Sequence, residues 1–393
     1  MIRVLITGGA GFIGSSLAGA LLLSKKNYHV TVLDNLSQGH LKNVSKWLGS
    51  PRFEFVQADL LDYSTSNPID QKASPLQKTV DNSDIIFHLA ANPDVAIGTV
   101  NTHIDFQQNV RATYNLLEAI RRSQPVPDSE NVIVDHTQKK KRVIFTSSST
   151  VYGKASKRPT PENYSPLYPI SLYGSTKLAC EAIISGYCHM FDIYGIVARL
   201  ANIIGPTNTH GVIYDFITKL SVHPDFLDIL GNGQQDKSYL YIDDCVNALM
   251  MLSDLMQKNS KSIIETQQNV NKQQEIPVVK SLAGEIGNQN DKKNHLTQYN
   301  VFNIGSDDTI TVMQIAKIVI DQLSLKNENV KTEFKNSFKD GRGWQGDIPE
   351  FWLDCSKLKG IGWKPKYSSS RDAVLQTCKE HIDSGRGGVA SKR

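Results

Sequence analysis

Long apolar runs, paired cysteines and a strong charge of either sign are what this sequence lacks. Its five cysteines (Cys180, Cys188, Cys245, Cys355, Cys378) scatter over 393 residues with no Cys-x-x-Cys spacing. That excludes a disulfide frame or a cysteine-built zinc site and predicts reduced thiols in a cytoplasm. None of the five sits in a convincing nucleophile setting. His88 has no second ligand at a useful spacing, so no metal is expected. No apolar stretch reaches the roughly 20 residues that span a bilayer. The first strand begins at Ile2, which leaves no room for a signal peptide and predicts a protein without a membrane partner. Lys and Arg number 43 against 39 Asp and Glu, a net +4, too mild to imply nucleic acid. The basic run Lys139–Arg142 reads as a solvated loop just before a strand.

What the sequence does have is organised around Val4-Leu-Ile-Thr-Gly-Gly-Ala-Gly-Phe-Ile-Gly14. An apolar strand breaks at Thr7, and glycines at 8, 11 and 14 lead into a helix carrying Leu17, Ala20 and Leu21. Gly8 permits the turn, Gly11 lets backbone approach a pyrophosphate, and Gly14 lets the helix pack on the strand. The helix N-terminus then offers N–H groups and its positive dipole to phosphate. An acid, Asp34, ends the second strand His29–Leu33 and would accept the two ribose hydroxyls of adenosine while repelling a 2′-phosphate, which favours NAD over NADP.

Strands are predicted at Arg52–Gln57, Asp84–Leu89 and Arg142–Phe145, alternating with helices, and Ile193–Leu200 adds another. This is an α/β pattern, a Rossmann-type doubly wound parallel sheet over residues 1–200, followed by a smaller α/β substrate lobe over 201–384 with some segments returning to the first domain. Asp59 at a strand end would either hold an adenine amino group or cap the next helix. Ala90 and Ala91 leave room for a ligand where α/β sheets place their sites. A helix is expected from Thr102 to Arg122 and another from His210 to Leu220. Residues 64–82 and 123–141 read as polar surface insertions, 257–298 as a mobile loop or an added hairpin, and 385–393 as a polar tail.

Chemistry enters with Leu172-Tyr-Gly-Ser-Thr-Lys177. Tyr173 and Lys177 lie four apart on one helix face, and an ammonium beside a phenol favours the phenolate, making Tyr173 a base near neutral pH. Upstream, Thr146-Ser-Ser-Ser-Thr150 sets a run of hydroxyls at a strand end, uncommon for pure structure. A Tyr-x-x-x-Lys spacing on an average helix would mean little; after a dinucleotide turn and a serine strand end, the catalytic reading wins.

Taken together, Thr7–Gly14, His88-Leu-Ala-Ala91, the serine run ending Val151-Tyr-Gly153, Tyr173 with Lys177, Arg199-Leu-Ala-Asn202 and Gly346-Asp347 resemble the extended short-chain dehydrogenase/reductase family, in particular its nucleotide-sugar epimerases. Asn92-Pro-Asp94, His210–Asp215 and Gly341-Arg-Gly-Trp344 are similar to patterns of archaeal-type UDP-glucose 4-epimerases. The resemblance implies NAD held by Gly8, Gly11, Phe12, Ile13, Asp34, Asn35, Asp59, Leu60, Ala90, Ala91, Asn109, Tyr173 and Lys177. It implies catalysis by Tyr173, Lys177 and Ser148, with UDP-glucose and UDP-galactose interconverting through a 4-keto sugar. Ser148 and Tyr173 would touch the sugar and Asn202 would lie near the diphosphate. Lys237 replaces a family arginine, keeping charge without the bidentate fork, and Arg342 would share its duty. Val212 would touch the uridine. Phe351 would either exclude N-acetylated sugars or serve as ordinary packing.

Similar sugar dehydratases carry Asp-Glu where this chain has Ser149 and Thr150, which disfavours elimination. The alternatives to a UDP-hexose substrate are UDP-glucuronate or a UDP-N-acetylhexosamine, a reductase that exchanges its cofactor, and a non-catalytic NAD-bound scaffold. Helices over Thr102–Arg122 and Ser171–Met190 resemble the pair that builds a four-helix dimer interface in the family, which implies a homodimer.

Overall fold

In the computed structural model, residues 1–64, 74–124, 140–271, 297–325, 329–335 and 338–385 are described. The first half of the chain runs β1 (Ile2–Thr7), α1 (Phe12–Leu23), β2 (Tyr28–Asp34), β3 (Phe53–Gln57), α2 (Pro75–Asp81), β4 (Ile85–His88), α3 (Thr102–Asp105), α4 (Ala112–Arg122), β5 (Arg142–Ser148), α5 (Leu172–Phe191) and β6 (Tyr194–Leu200). The second half continues with β7 (Asn202–Ile204), α6 (Val212–Val222), β8 (Phe226–Leu230), β9 (Asp236–Lys237), β10 (Tyr239–Tyr241), α7 (Ile242–Asn271), β11 (Tyr299–Ile304), β12 (Ile310–Thr311), α8 (Val312–Gln322), β13 (Lys331–Lys335), β14 (Glu350–Phe351), α9 (Ser356–Gly360) and α10 (Ser370–Asp383).

The main sheet is parallel throughout, in the order β11-β6-β5-β4-β1-β2-β3. Its central strands read as unbroken apolar runs because both faces are covered. Alternate residues feed two layers. Val4, Ile6, Val30, Val32, Ile85 and Phe87 pack with α1 and reach the smaller lobe. Leu5, Leu33, Ile86, Val143 and Phe145 pack on the apolar faces of α4 and α5 through Leu116, Leu117, Ile120 and Ile184. From β1 the chain winds outward one way through β2 and β3, then the other way from β4. The strand order therefore reverses between β1 and β4, which opens a crevice at their carboxyl ends.

The smaller lobe is built from short sheets, β7 with β10, β8 with β13, and β9 between β12 and β14. Its β11 returns to the main sheet beside β6.

Three expectations change. Residues 75–81, read as surface loop, form α2: the Ser74 hydroxyl caps Leu76 N–H, Pro75 sits in the first turn, and Leu76 and Val80 are buried. Residues 65–73 lie outside the described ones. The helix over 102–122 is present but contains a π-helical turn, Phe106–Arg111, between α3 and α4. Residues 257–271 continue α7 as helix instead of a loop or hairpin. The rest of that insertion (272–296), residues 125–139 and the tail from 386 are not among the described residues.

Candidate active site

A cavity of about 1100 Å³ runs along the carboxyl edge of the sheet, from β2 past β1, β4 and β5 into the smaller lobe. Its first half is a backbone cradle. Gly8, at φ +70°, lies so close to β4 that a Cβ there would meet Ala90 N at 2.7 Å, and one on Gly14 would meet Gly8 O at 2.4 Å. Gly11 precedes α1 with no side chain capping it, so the first-turn N–H groups face the cavity. Asp34 is 6% exposed; its Oδ2 accepts from Ala10 N at 2.9 Å and its Oδ1 from Leu36 N at 2.8 Å. The glycine turn thus orients the carboxylate, and the lone pairs left over can accept ribose hydroxyls. Asn35 Nδ2 donates to Asp59 Oδ2 at 2.8 Å, while Asp59 Oδ1 accepts from Leu61 N at 2.8 Å. Asp59 is therefore a cap that also lines the cavity. Phe12, Ile13, Leu60, Ala90 and Ala91 complete these walls. The cradle fits a dinucleotide: helix N–H groups for the pyrophosphate, a carboxylate for the ribose, and no Cβ in the way.

The middle of the cavity carries Ser148, Tyr173 and Lys177. Ser148 ends β5, where its Oγ accepts from Thr150 N at 3.2 Å. Tyr173 and Lys177 occupy the first two turns of α5, whose start is fixed by the Ser171 hydroxyl accepting from Gly174 N at 3.1 Å. Burial pushes the Tyr173 phenol up to about 12; the nearby Ser148 hydroxyl offsets this only in part, and the Asp105 charge adds to the rise. The Lys177 ammonium is 3% exposed and pushed down to about 8 by burial. Its Nζ donates to Thr146 O at 2.9 Å and lies 4.7 Å from the Phe145 ring centroid and 5.8 Å from that of Tyr173. Sequence spacing predicts an ammonium that lowers the phenol. The structure instead directs that charge to a carbonyl, and desolvation dominates at the phenol.

The smaller-lobe half is lined by Asn202, Val212, Lys237 and Phe351. Lys237 Nζ is engaged with Asp347 Oδ1 at 2.6 Å, both side chains largely buried. Two predicted residues stand elsewhere. Arg342 donates from Nε to Asp340 Oδ1 at 2.8 Å and stacks over Phe338, and it does not line the cavity. Asn109 is 1% exposed: its Oδ1 accepts from Asn92 N at 3.0 Å and its Nδ2 donates to Thr176 Oγ1 at 2.9 Å. It braces the 92–95 loop against α5.

Residues that sequence reasoning left unassigned also line the cavity: Asn92, Pro93, Gly39, Lys42, Asn43, His210 and Trp344. Gly39 had a signal, a glycine five residues after the strand-end acid, and a Cβ there would meet Ala10 C at 2.8 Å. Asn92-Pro93, His210 and Trp344 belong to motifs already visible as strings. Lys42 and Asn43 carried no sequence signal. Among the described residues, no cluster of three His, Cys, Asp or Glu side chains could hold a metal, and no helix is long and apolar enough to cross a membrane.

A doubly wound sheet with a glycine cradle, a strand-end acid and a Tyr/Lys pair at the switch point defines a dinucleotide-dependent α/β enzyme. The chain belongs to the NAD dependent epimerase/dehydratase family, whose profile matches residues 4–265. A putative UDP-glucose 4-epimerase of Methanocaldococcus jannaschii is 26% identical over 368 residues, covering 92% of this chain and 93% of its own. The crystal structure of a UDP-galactose 4-epimerase is 32% identical with a TM-score of 0.70 over 98% of this chain and 99% of its own. The UDP-glucuronic acid 4-epimerase of Bacillus cereus, solved with UDP-glucuronic acid and NAD, shares the fold at 24% identity, with a TM-score of 0.70 over 98% of this chain and 99% of its own. This chain is an NAD-dependent, nucleotide-sugar epimerase-like enzyme.

Proposed function

We propose that the protein interconverts the C4 epimers of a UDP-activated sugar through a transient 4-keto sugar, with Tyr173, Lys177 and Ser148 as its catalytic residues. The observation that carries this reading is the strand end beside the Tyr173 phenol: Ser148, Ser149 and Thr150 line the cavity with hydroxyls, and no carboxylic acid stands in that run. Elimination across C5–C6 needs such an acid, whereas epimerisation needs only a base at the 4-hydroxyl.

Tyr173 takes the proton from the 4-hydroxyl and later returns it. Ser148 hydrogen-bonds the reacting oxygen and holds it against the phenol. With NAD held in the glycine cradle, the chemistry supplied at C4 would be hydride acceptance and return, with no net redox change. Lys177 would hold the nicotinamide ribose, and it favours the phenolate only by turning its ammonium from Thr146 O toward the phenol. The keto sugar turns about its phosphate linkage and presents its other face. Asn202 and Lys237 serve the diphosphate, Val212 the uridine, and Phe351 the wall of the sugar pocket. Arg342 joins them only by leaving Asp340, and Asn109 serves the cofactor through the loop it braces.

The 32% identical UDP-galactose 4-epimerase and the archaeal relative support UDP-glucose and UDP-galactose and an archaeal-type placement. A hydroxyl-lined strand end accepts a C6 hydroxyl or a C6 carboxylate equally, which keeps UDP-glucuronate in the substrate class beside the UDP-N-acetylhexosamines. Exposed Phe106, Tyr114 and Leu172 on the α3–α4 and α5 faces support a homodimer, and buried free thiols support a cytoplasmic setting.

The test incubates purified protein separately with UDP-galactose, UDP-glucuronate and UDP-N-acetylglucosamine, with and without NAD, and follows the anomeric protons by NMR. A 4-epimer as sole product is expected from at least one, and Tyr173→Phe should keep NAD while losing turnover. A 4-keto-6-deoxy product, or silence from every sugar, would overturn the proposal.

A further inference from the structure

Behind the catalytic groups lies a buried ionic cluster that the reaction above does not use. Glu181 sits on α5, one turn beyond Lys177 and two beyond Tyr173, and its side chain is 4% exposed; Arg199, on β6, is 5% exposed. Arg199 Nε reaches both Glu181 oxygens at 3.0 and 3.2 Å, and its Nη2 reaches Oε2 at 2.7 Å. Glu181 Oε1 also accepts from Ser147 Oγ at 2.5 Å. The remaining guanidinium nitrogen donates to Glu162 O at 3.2 Å, and the guanidinium plane lies over the Tyr152 ring at 4.8 Å.

The chain positions matter as much as the distances. Ser147 directly precedes Ser148, and strand alternation sends the first side chain into the cluster and the second into the cavity. Positions 173, 177 and 181 repeat at helical spacing, so the carboxylate that holds Ser147 belongs to the helix that carries Tyr173 and Lys177. One side chain therefore ties the strand presenting Ser148 to the helix presenting the phenol, with β6 as a third anchor.

Stability alone does not account for such a pair. Two buried charges lose their hydration, and replacing both with apolar side chains of similar volume is often neutral or stabilising. Their directional bonds do set distances, and proton transfer between positioned groups tolerates errors of only about 0.5 Å. We propose that Ser147, Glu181 and Arg199 are positioning residues that set the spacing between Ser148 and Tyr173 on which proton transfer depends. This rests on the catalytic reading of Ser148 and Tyr173 given above.

Two variants test it. Ser147→Ala removes a single bond and leaves the ion pair in place; Glu181→Leu with Arg199→Met removes both charges together. Both should retain NAD and cooperative unfolding. With the preferred sugar nucleotide, kcat should fall about tenfold in the first and about 100-fold in the second, as for a misplacement of order 1 Å, with KM within about twofold. Ser147→Thr, which restores the hydroxyl, should recover kcat. Crystal structures of NAD-loaded wild type and Ser147→Ala supply a readout free of turnover: the distance from Ser148 Oγ to the Tyr173 phenol should lengthen. An unchanged kcat, or an unchanged Ser148–Tyr173 distance in Ser147→Ala, overturns the proposal, and a fallen melting temperature with intact kcat would assign the cluster to stability instead. Should the wild type turn over no nucleotide sugar, the catalytic reading fails, and the crystal comparison still decides whether the cluster positions Ser148. Should the double variant not fold, Ser147→Ala decides.

Discussion

His88 makes the protein acid-sensitive by an amount set by its surroundings. It ends β4, two residues before the Ala90-Ala91 floor, and is 1% exposed. Its Nδ1 lies 2.8 Å from Thr7 Oγ1 and its Nε2 lies 2.9 Å from Thr113 Oγ1. A neutral imidazole is one donor and one acceptor, and two hydroxyls can match either tautomer. Burial first, and the Lys177 charge second, hold its pKa down to about 3. The unfolded chain titrates this group near 6.5. Between those values the unfolded state binds a proton that the folded state refuses, so stability rises with pH through the window and is fully present above 6.5. Lowering the pH from 8 to 5 should therefore remove about 2 kcal/mol through this residue alone. The assay is urea unfolding at a series of pH values from 8 to 5, wild type against His88→Gln. The variant loses stability at every pH, but its slope with pH should be shallower by close to one proton. Identical slopes in the two proteins would refute this reasoning.

Gly14→Ala should abolish NAD retention without unfolding the rest of the chain, because its Cβ would press to 2.4 Å of Gly8 O and spread the turn; cofactor absorbance after gel filtration checks it, against a circular dichroism control. Asp34→Ala should weaken NAD about tenfold, the loss of a charge-assisted hydrogen bond, and admit NADP, which calorimetric titration with both cofactors would show. Lys237→Met should raise KM for the sugar nucleotide at least tenfold with a smaller change in kcat, since it removes the cation and leaves the largely buried Asp347 unpaired. Lys237→Arg should keep a near-native KM, and steady-state kinetics of the two variants separate charge from shape.

The features legible in the sequence were contiguous, and the others were set by angles and by partners far along the chain. The glycine turn, the acid closing β2 and the hydroxyl run closing β5 each carry their meaning within a dozen residues, because a strand end and the turn after it are neighbours in space as in sequence. The link from Lys237 to Asp347 spans 110 positions, and no local pattern announces that the expected phosphate cation already has a carboxylate. Arg342 was diverted by a partner only two residues away, Asp340, a competition that position counting does not weigh. Asn109 is the most instructive case. The resemblance implies Asn109 as a cofactor residue, but it lies within Phe106–Arg111, a π turn that interrupts the helix expected from Thr102 to Arg122. There Asn109 lies between Asn92 and Thr176, so it joins the 92–95 loop to α5 and does not line the cavity. Turns of this kind concentrate at functional sites, and here the departure from regular helix braces a cavity-lining loop against the helix that carries Tyr173 and Lys177. Motif strings name residues that line the cavity, while the residues that brace those elements from behind are found only where the backbone places them.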